Sequence, residues 1–154
     1  MGTAGEQTEE IRIAGLLHDV GKMSIPAEIL SKPGKLLAIE YELIKAHSEA
    51  GYRIIASADM EGNVAEIVYQ HHERCDGSGY PRGLEGDALL LESKVLMVAD
   101  VVEAMVSHRP YRPALGHAAA LAEIERGAGS LYDPRVVESC LRVFRETEFA
   151  FAEE

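Results

Sequence analysis

Helical periodicity is the feature that most limits what this chain can fold into. Apolar residues recur at intervals of three and four along most of its length, and alternating runs long enough for strands are missing. At 154 residues, the chain has the length of one compact domain that can bury a substantial core. We therefore predict a single all-α domain, a helical bundle of about six to seven helices.

Capping residues and helix breakers divide this pattern into elements. Helices are predicted over residues 9–20, 27–30, 91–106 and 117–126, and Asp133-Pro134 is predicted to open a last one. One longer helix carries a stripe of Ile39, Leu43, His47, Ala50 and Ile54. Another, after Gly62-Asn63, carries Val64, Ile67, Val68, His71 and His72. Between residues 75 and 87, Gly, Pro, Asp and Arg replace the apolar residues, which predicts one ordered loop.

The composition argues against several classes of protein. With 15 basic and 26 acidic residues, the net charge is −11, so a broad basic surface for duplex nucleic acid is not expected. No apolar run approaches the roughly 20 residues of a membrane span, and the acidic start is unlike a signal peptide. We therefore predict a cytoplasmic protein. Cys75 and Cys140 form no CxxC pair and are expected to be reduced thiols.

Residues able to bind metals interrupt the predicted apolar faces. They are the adjacent His18-Asp19, His47, the adjacent His71-His72, and Asp100 inside an apolar helix. Burying an ionised carboxylate alone costs several kcal/mol, so Asp100 must be protonated, paired or metal-bound. Four imidazoles and two carboxylates suit first-row divalent metals such as iron, manganese or zinc. Three or four such ligands typically hold one ion, whereas six with a bridging carboxylate hold two.

Each of these residues also has a purely structural interpretation. An isolated His47 is more often a packed core histidine than a ligand, and an isolated Asp100 is more often an ion pair or a cap. Adjacent histidines on a helix point about 100° apart, so only one of His71-His72 would normally face a site. The occurrence of all these residues together favours the metal site.

Four motifs follow one another along the chain. They are HDVGK at 18–22, HHERCDGSGYPRGLEGD at 71–87, VAD at 98–100 and RPYR at 109–112. In this order, over residues 11 to 144, they resemble the HD-GYP family of bacterial cyclic di-GMP phosphodiesterases. The resemblance implies an HD-domain helical bundle over residues 11–146. It would lie between a disordered or frayed segment at residues 1–10 and an acidic tail at residues 147–154.

The resemblance also implies roles for individual residues. The family's metal ligands fall on His18, Asp19, His47, His71, His72 and Asp100, with Asp19 in the bridging position. They would hold two or three divalent ions, with iron or manganese expected. Asp19 and Lys22 would be catalytic, with Lys22 near the substrate phosphate. Substrate contacts would come from Lys22, Gly79, Tyr80, Pro81, Arg109, Tyr111 and Arg112.

Structural alternatives stay open for the substrate residues. The segment Gly79-Tyr80-Pro81 has two interpretations. We consider its role as a tight turn at least as important as direct contact with the substrate. Arg109 and Arg112 are equally suited to surface salt bridges and to forked contacts with phosphate, and Tyr111 is suited to stacking on guanine.

The implied activity is hydrolysis of cyclic di-GMP to linear pGpG or GMP. Our hypothesis is that a hydroxide shared by two metals attacks phosphorus in line with the leaving 3′ oxygen. One alternative is a catalytically incomplete domain that binds cyclic dinucleotides or another protein. Another is hydrolysis of a different nucleotide phosphate, which the GYP loop argues against.

The start of the chain departs from the family pattern. That pattern begins with an upstream helix carrying a further histidine and often a glutamate ligand, and residues 1–17 contain no histidine. One metal position is therefore expected to lose a ligand. The chain is expected to be an incomplete domain or a fragment of a longer protein that could include a regulatory domain. A homodimer through the face left exposed is a further expectation. Ser48 also stands where the family commonly has proline.

Overall fold

The computed structural model describes residues 5–107 and 114–147. Its α-helices are α1 Gly5–Leu17, α2 Ala27–Leu30, α3 Ala38–Lys45, α4 His47–Ser57, α5 Val64–Gln70, α6 Leu91–Val106, α7 His117–Arg126 and α8 Pro134–Glu146. Two 3₁₀ helices cover Val20–Ser24 and Gly86–Ala88. Within the described residues the β-type pairs are isolated bridges, so the all-α prediction is confirmed. None of the helices in this part of the chain is long and apolar enough to cross a bilayer.

Helix α6 is the centre of the fold, as its nearly continuous apolar sequence predicts. It contacts α1 and α5 on one side and α7 and α8 on the other. Its Leu96 belongs to a core cluster with α1 and α5, whereas Met97, Val98 and Val102 belong to a second cluster with α7 and α8. Because α6 is packed on two sides, Asp100 is held at a fixed position between two packed layers.

Several helix boundaries lie where the sequence predicts them, because local capping sets them. Helices α2, α6 and α7 match the predicted bounds. Helix α8 begins at Pro134, and the carboxylate of Asp133 accepts a hydrogen bond from the Arg135 backbone amide at 2.9 Å. This is the N-cap followed by proline at the first helical position.

The start of the chain differs from the prediction in two ways. Helix α1 covers residues 5–10, which were expected to be frayed, and the Gln7 side chain donates to Glu92 Oε1 at 2.8 Å. The helix also ends at Leu17 rather than near residue 20, and Gly21, a residue suited to the left-handed turn that closes helices and predicted to end this one, does not close it. Gly21 instead lies in the 3₁₀ helix that follows, packed against α4. Residues 148–154 of the predicted acidic tail lie outside the described residues.

The long helix predicted through His47 is two helices. The chain bends at Ala46 between α3 and α4. His47 is only 1% exposed, as its stripe position predicts, but Ile39, Leu43 and Ile54 of the same stripe are exposed. The prediction of one continuous buried face is therefore wrong. Ile39 and Leu43 belong to α3, beyond the break at Ala46, and Ile54 is exposed although it shares α4 with His47.

Candidate metal centre

The predicted ligand residues converge on one place in the fold. His18 and Asp19 follow α1, His47 begins α4, His71 and His72 follow α5, and Asp100 lies within α6. Helix α5 ends at Gln70, so the adjacent histidines lie in the turn after the helix rather than on its face. This turn lets both rings approach the same centre, which the regular 100° spacing of a helix disfavours.

Three of the imidazoles are oriented by the backbone. Nδ1 of His18, His47 and His71 each lies 2.5–2.7 Å from the carbonyl oxygen three residues earlier. A carbonyl only accepts, so each Nδ1 carries the proton and each Nε2 is left with a lone pair. Metal-binding histidines are commonly held in this way, with the second ring nitrogen fixed by a backbone carbonyl.

The arrangement of these lone pairs fits a cation. Nε2 of His47 and Nε2 of His71 are 3.3 Å apart, and the tautomers above give both atoms lone pairs. Two lone pairs cannot form a hydrogen bond with each other, but a positive ion between them satisfies both. His47, His71 and His72 each offer a ligand atom within 4.8 Å of the others. The donor set therefore fits the divalent metal that the sequence predicts.

Both carboxylates span two imidazoles. Asp19 places Oδ1 3.8 Å from His47 Nε2 and Oδ2 3.5 Å from His18 Nε2. Asp100 places Oδ1 3.7 Å from His18 Nε2 and Oδ2 3.9 Å from His72 Nδ1. Two ligands of one tetrahedral ion lie about 3.4 Å apart, so these separations are close to those of shared coordination. Asp19 and Asp100 are thus disposed alike, each with its two oxygens toward different imidazoles, and the bridging position of Asp19 stays a prediction.

Burial sets the protonation states of the imidazoles. It lowers the pKa of His71 to about 3, against the opposing effect of the Val68 carbonyl. Burial likewise lowers the pKa of His47 and of His72, and in His72 the neighbouring His71 adds to the effect. His47, His71 and His72 are therefore neutral at pH 7, which is the form that binds metal.

Lys22 is held beside Asp19. Its Nζ donates to Asp19 Oδ2 at 2.6 Å, and its side chain is 32% exposed. Burial opposes ionisation of Asp19, but the Lys22 hydrogen bond and the nearby imidazoles hold the pKa of that carboxyl below its usual value. Lys22 thus lies at the edge of the cluster, and its place beside the substrate phosphate stays a prediction from the resemblance.

The GYP segment packs directly on the histidine cluster. The Tyr80 amide donates to the His72 carbonyl at 3.1 Å, and the two rings lie 4.8 Å apart. The Tyr80-Pro81 peptide is cis. A Cβ on Gly79 would lie 2.3 Å from backbone atoms of Glu73 and Arg74, so only glycine fits there. These contacts give Gly79-Tyr80-Pro81 a structural place against the histidine turn, and direct substrate contact stays a prediction.

Sequence reasoning missed Glu73, which holds this loop in place. Glu73 is fully buried, and its two carboxylate oxygens accept the amides of Arg82 at 2.7 Å and Leu84 at 3.0 Å. The carboxylate therefore ties the histidine turn to the far limb of the loop with charge-assisted hydrogen bonds. The available signal was its position directly after His71-His72, but a charged residue among polar neighbours is ordinarily interpreted as solvated.

Replacing Glu73 by glutamine is expected to lower the free energy of unfolding by about 2–3 kcal/mol, because one buried amide loses its acceptor and faces an amide donor. Urea unfolding with a chelator present measures this without a contribution from metal. The exposed Glu61 provides the matched control, since Glu61→Gln removes the same charge at the surface. Equal stability of the two variants would contradict the role given to Glu73.

The RPYR motif at residues 109–112 lies outside the described residues. Arg109, Tyr111 and Arg112 therefore remain predictions from the sequence. The described residues do show another group near the site that the sequence did not single out, formed by Tyr41 and Lys45 of α3. The Lys45 ammonium lies 5.1 Å from the centre of the Tyr41 ring and 5.5 Å from that of Tyr80.

Comparison with known proteins agrees with this geometry. The family model described as HD domain matches residues 1–136. The chain belongs to the HD-domain family. Its structure resembles the crystal structure of a cyclic GMP-AMP-specific phosphodiesterase of Vibrio cholerae, V-cGAP3, with a TM-score of 0.69 and 18% identity, covering 93% of this chain and 39% of that one. The HD-domain bundle predicted from the sequence is thus confirmed.

Curated relatives of this HD-domain chain are named as phosphodiesterases of cyclic dinucleotides. The cyclic di-GMP phosphodiesterase response regulator RpfG of Xanthomonas campestris is 43% identical over 144 residues, covering 92% of this chain and 38% of the relative. A cyclic di-GMP phosphodiesterase of Thermotoga maritima is 43% identical, with coverages of 95% and 40%. The 3'3'-cGAMP-specific phosphodiesterase 1 of Vibrio cholerae is 44% identical, with coverages of 73% and 26%. The chain therefore spans less than half the length of these relatives. The sequence identities confirm the predicted resemblance to cyclic di-GMP phosphodiesterases.

Proposed function

We propose that this chain carries the active site of a metal-dependent phosphodiesterase that hydrolyses cyclic di-GMP to pGpG, GMP or both. The observation that carries the proposal is the pair of facing Nε2 lone pairs on His47 and His71, 3.3 Å apart, with Asp19 beside His47 and Asp100 beside His18 and His72. Buried polar groups of this kind are costly without a cation. The names of the relatives supply the substrate class.

The ligands we propose are the residues brought together at this centre: His18, Asp19, His47, His71, His72 and Asp100. We assign them two divalent ions, with iron or manganese as the expected metals and a third ion as the other expectation. Such ions, when bound, lower the pKa of coordinated water toward about 7 and offset negative charge on a phosphate. Asp19, which faces both His18 and His47, is suited to hold the two positions in a fixed relation.

The protein's own groups bind and orient the substrate. Lys22 supplies a positive charge at the mouth of the site, and the Asp19 contact fixes where that charge lies. Because the chain is strongly acidic, an anionic substrate needs such local cations. The Tyr80 ring, packed on His72, forms one wall of the site.

A second candidate substrate is 3'3'-cGAMP. Relatives named for this substrate reach 44% identity, which is as high as the 43% of relatives named for cyclic di-GMP. Overall identity therefore does not separate the two substrates, and both belong in the assay. The binding-module alternative is less well supported, because the buried His47 and His71, with the carboxylates beside them, have no evident use without metal. A cytoplasmic location, a homodimer and a regulatory domain stay predictions.

The test is chromatographic detection of linear products after anaerobic loading with iron(II) or manganese(II). We expect metal-dependent formation of pGpG or GMP from cyclic di-GMP, and loss of at least about 90% of the rate after chelation, because the ions supply the activated water. Reloading the chelated sample with metal is the control for unfolding. Product that persists in chelator, or no product from either dinucleotide with metal bound, would contradict the proposal.

A further inference from the structure

Helix α3 brings a second cation to the mouth of the proposed site. Lys45 precedes His47 by two residues, and its ammonium lies over the Tyr80 ring, which itself packs on the ring of His72. The Tyr41 ring contacts the same ammonium at 5.1 Å. The Tyr80 ring therefore lies between the Lys45 ammonium and the histidine cluster.

The Lys45 ammonium is available to a ligand. Its ion pair is with Glu42 at 2.8 Å, three residues earlier on the same helix, and the Glu42 side chain is 62% exposed. Exposed pairs of this kind contribute little free energy, so a ligand can replace Glu42 at low cost. The Lys45 side chain is itself 29% exposed, while the two tyrosine rings limit where its ammonium can lie.

We propose that Lys45 is a specificity residue that recognises the guanine base of the bound cyclic dinucleotide. A lysine ammonium donates to O6 and N7 of guanine, the two acceptors on one edge of that base. Adenine carries an amino group in place of O6. Its edge therefore offers only N7 as an acceptor, and the amino group, itself a donor, faces the donors of the ammonium. The inference rests on the proposed function. It adds that Lys45 selects guanine as the base beside the phosphate that is cleaved.

The two halves of 3'3'-cGAMP make a direct test. If Lys45 selects guanine, this substrate binds in one orientation, and water adds across one of its two phosphodiester bonds. Each cleavage releases one 3′ oxygen and leaves one 5′ phosphate, so the two bonds give distinct products, pApG and pGpA. Their ratio reports orientation separately from the overall rate.

We expect the metal-loaded wild-type protein to give one linear product in about tenfold excess, since a good contact to a guanine edge discriminates between bases by a factor of roughly 5 to 150. Lys45→Met is expected to give a nearly even mixture. Lys45→Arg retains a cation with donors for O6 and N7 and is expected to keep one product. The exposed Lys35 provides the charge-matched control, and Lys35→Met is expected to match wild type.

A wild-type mixture, or a product ratio unchanged in Lys45→Met, would overturn the inference while leaving the phosphodiesterase intact. Absence of any product from wild type would instead count against the proposed function. In that case calorimetric binding of cyclic di-GMP and cyclic di-AMP decides. A guanine preference that falls about tenfold in Lys45→Met supports the inference, and equal preference in both proteins, or no binding, overturns it.

Discussion

Replacing Asp19 by asparagine is expected to lower turnover of cyclic di-GMP by about 10³-fold or more, together with loss of bound metal. The carboxylate faces His18 and His47 through different oxygens, and an amide offers one neutral oxygen in place of that pair. Loss of several kcal/mol of charge stabilisation corresponds to a loss of this size. Metal analysis of the purified protein and product chromatography measure the two effects.

Asp59→Asn is the matched control for this substitution. Asp59 is exposed and lies two residues beyond the end of α4, whereas the site residue His47 lies at the start of that helix. The Asp59 φ of 49° lies in the left-handed region, which asparagine tolerates. The control is expected to keep wild-type metal content and turnover. Full activity in Asp19→Asn would remove Asp19 from the site and with it the bridging role.

Replacing Gly21 by alanine is expected to lower the free energy of unfolding by about 3 kcal/mol or more, at the upper end of overpacking effects. An added Cβ would lie 1.9 Å from the His47 carbonyl oxygen and 2.5 Å from the Gly51 amide nitrogen. Both are backbone atoms of α4 and cannot give way as a flexible side chain would. The segment that carries His18, Asp19 and Gly21 must therefore move away from α4. Metal content is expected to fall as well, because this packing brings Asp19 and His47 together.

Gly15→Ala is the comparison that isolates the steric effect. Gly15 lies within α1, and an added Cβ there would meet Leu96 Cδ1 at an ordinary 3.8 Å. Alanine is favoured over glycine in a helix, so this variant is expected to gain about 0.5–1 kcal/mol. Thermal and urea unfolding measure both variants. A stable, metal-replete Gly21→Ala protein would show that the close contact with α4 is not required.

Local sequence signals predict the helices that local chemistry controls. The bounds of α6 and α7, and the start of α8 at Pro134, follow from apolar periodicity, proline and capping side chains. These signals act within a few residues, so a single sequence contains all of the information they need. Predictions based only on periodicity were less accurate, as the stripe through Ile39 and Ile54 shows, because periodicity does not say which helix covers a face.

The candidate site likewise combines features that the sequence predicts with features that only the fold shows. The sequence by itself determined which side chains are available to bind metal, because His18-Asp19, His71-His72 and the loop after them form motifs readable in one dimension. Only the tertiary structure decided that these side chains meet. It showed the close contact at Gly21, the buried Glu73 that holds the loop, and the placement of Lys45 beside Tyr80. Each of these depends on contacts between segments distant in sequence, and neither residue type nor local periodicity encodes such distances.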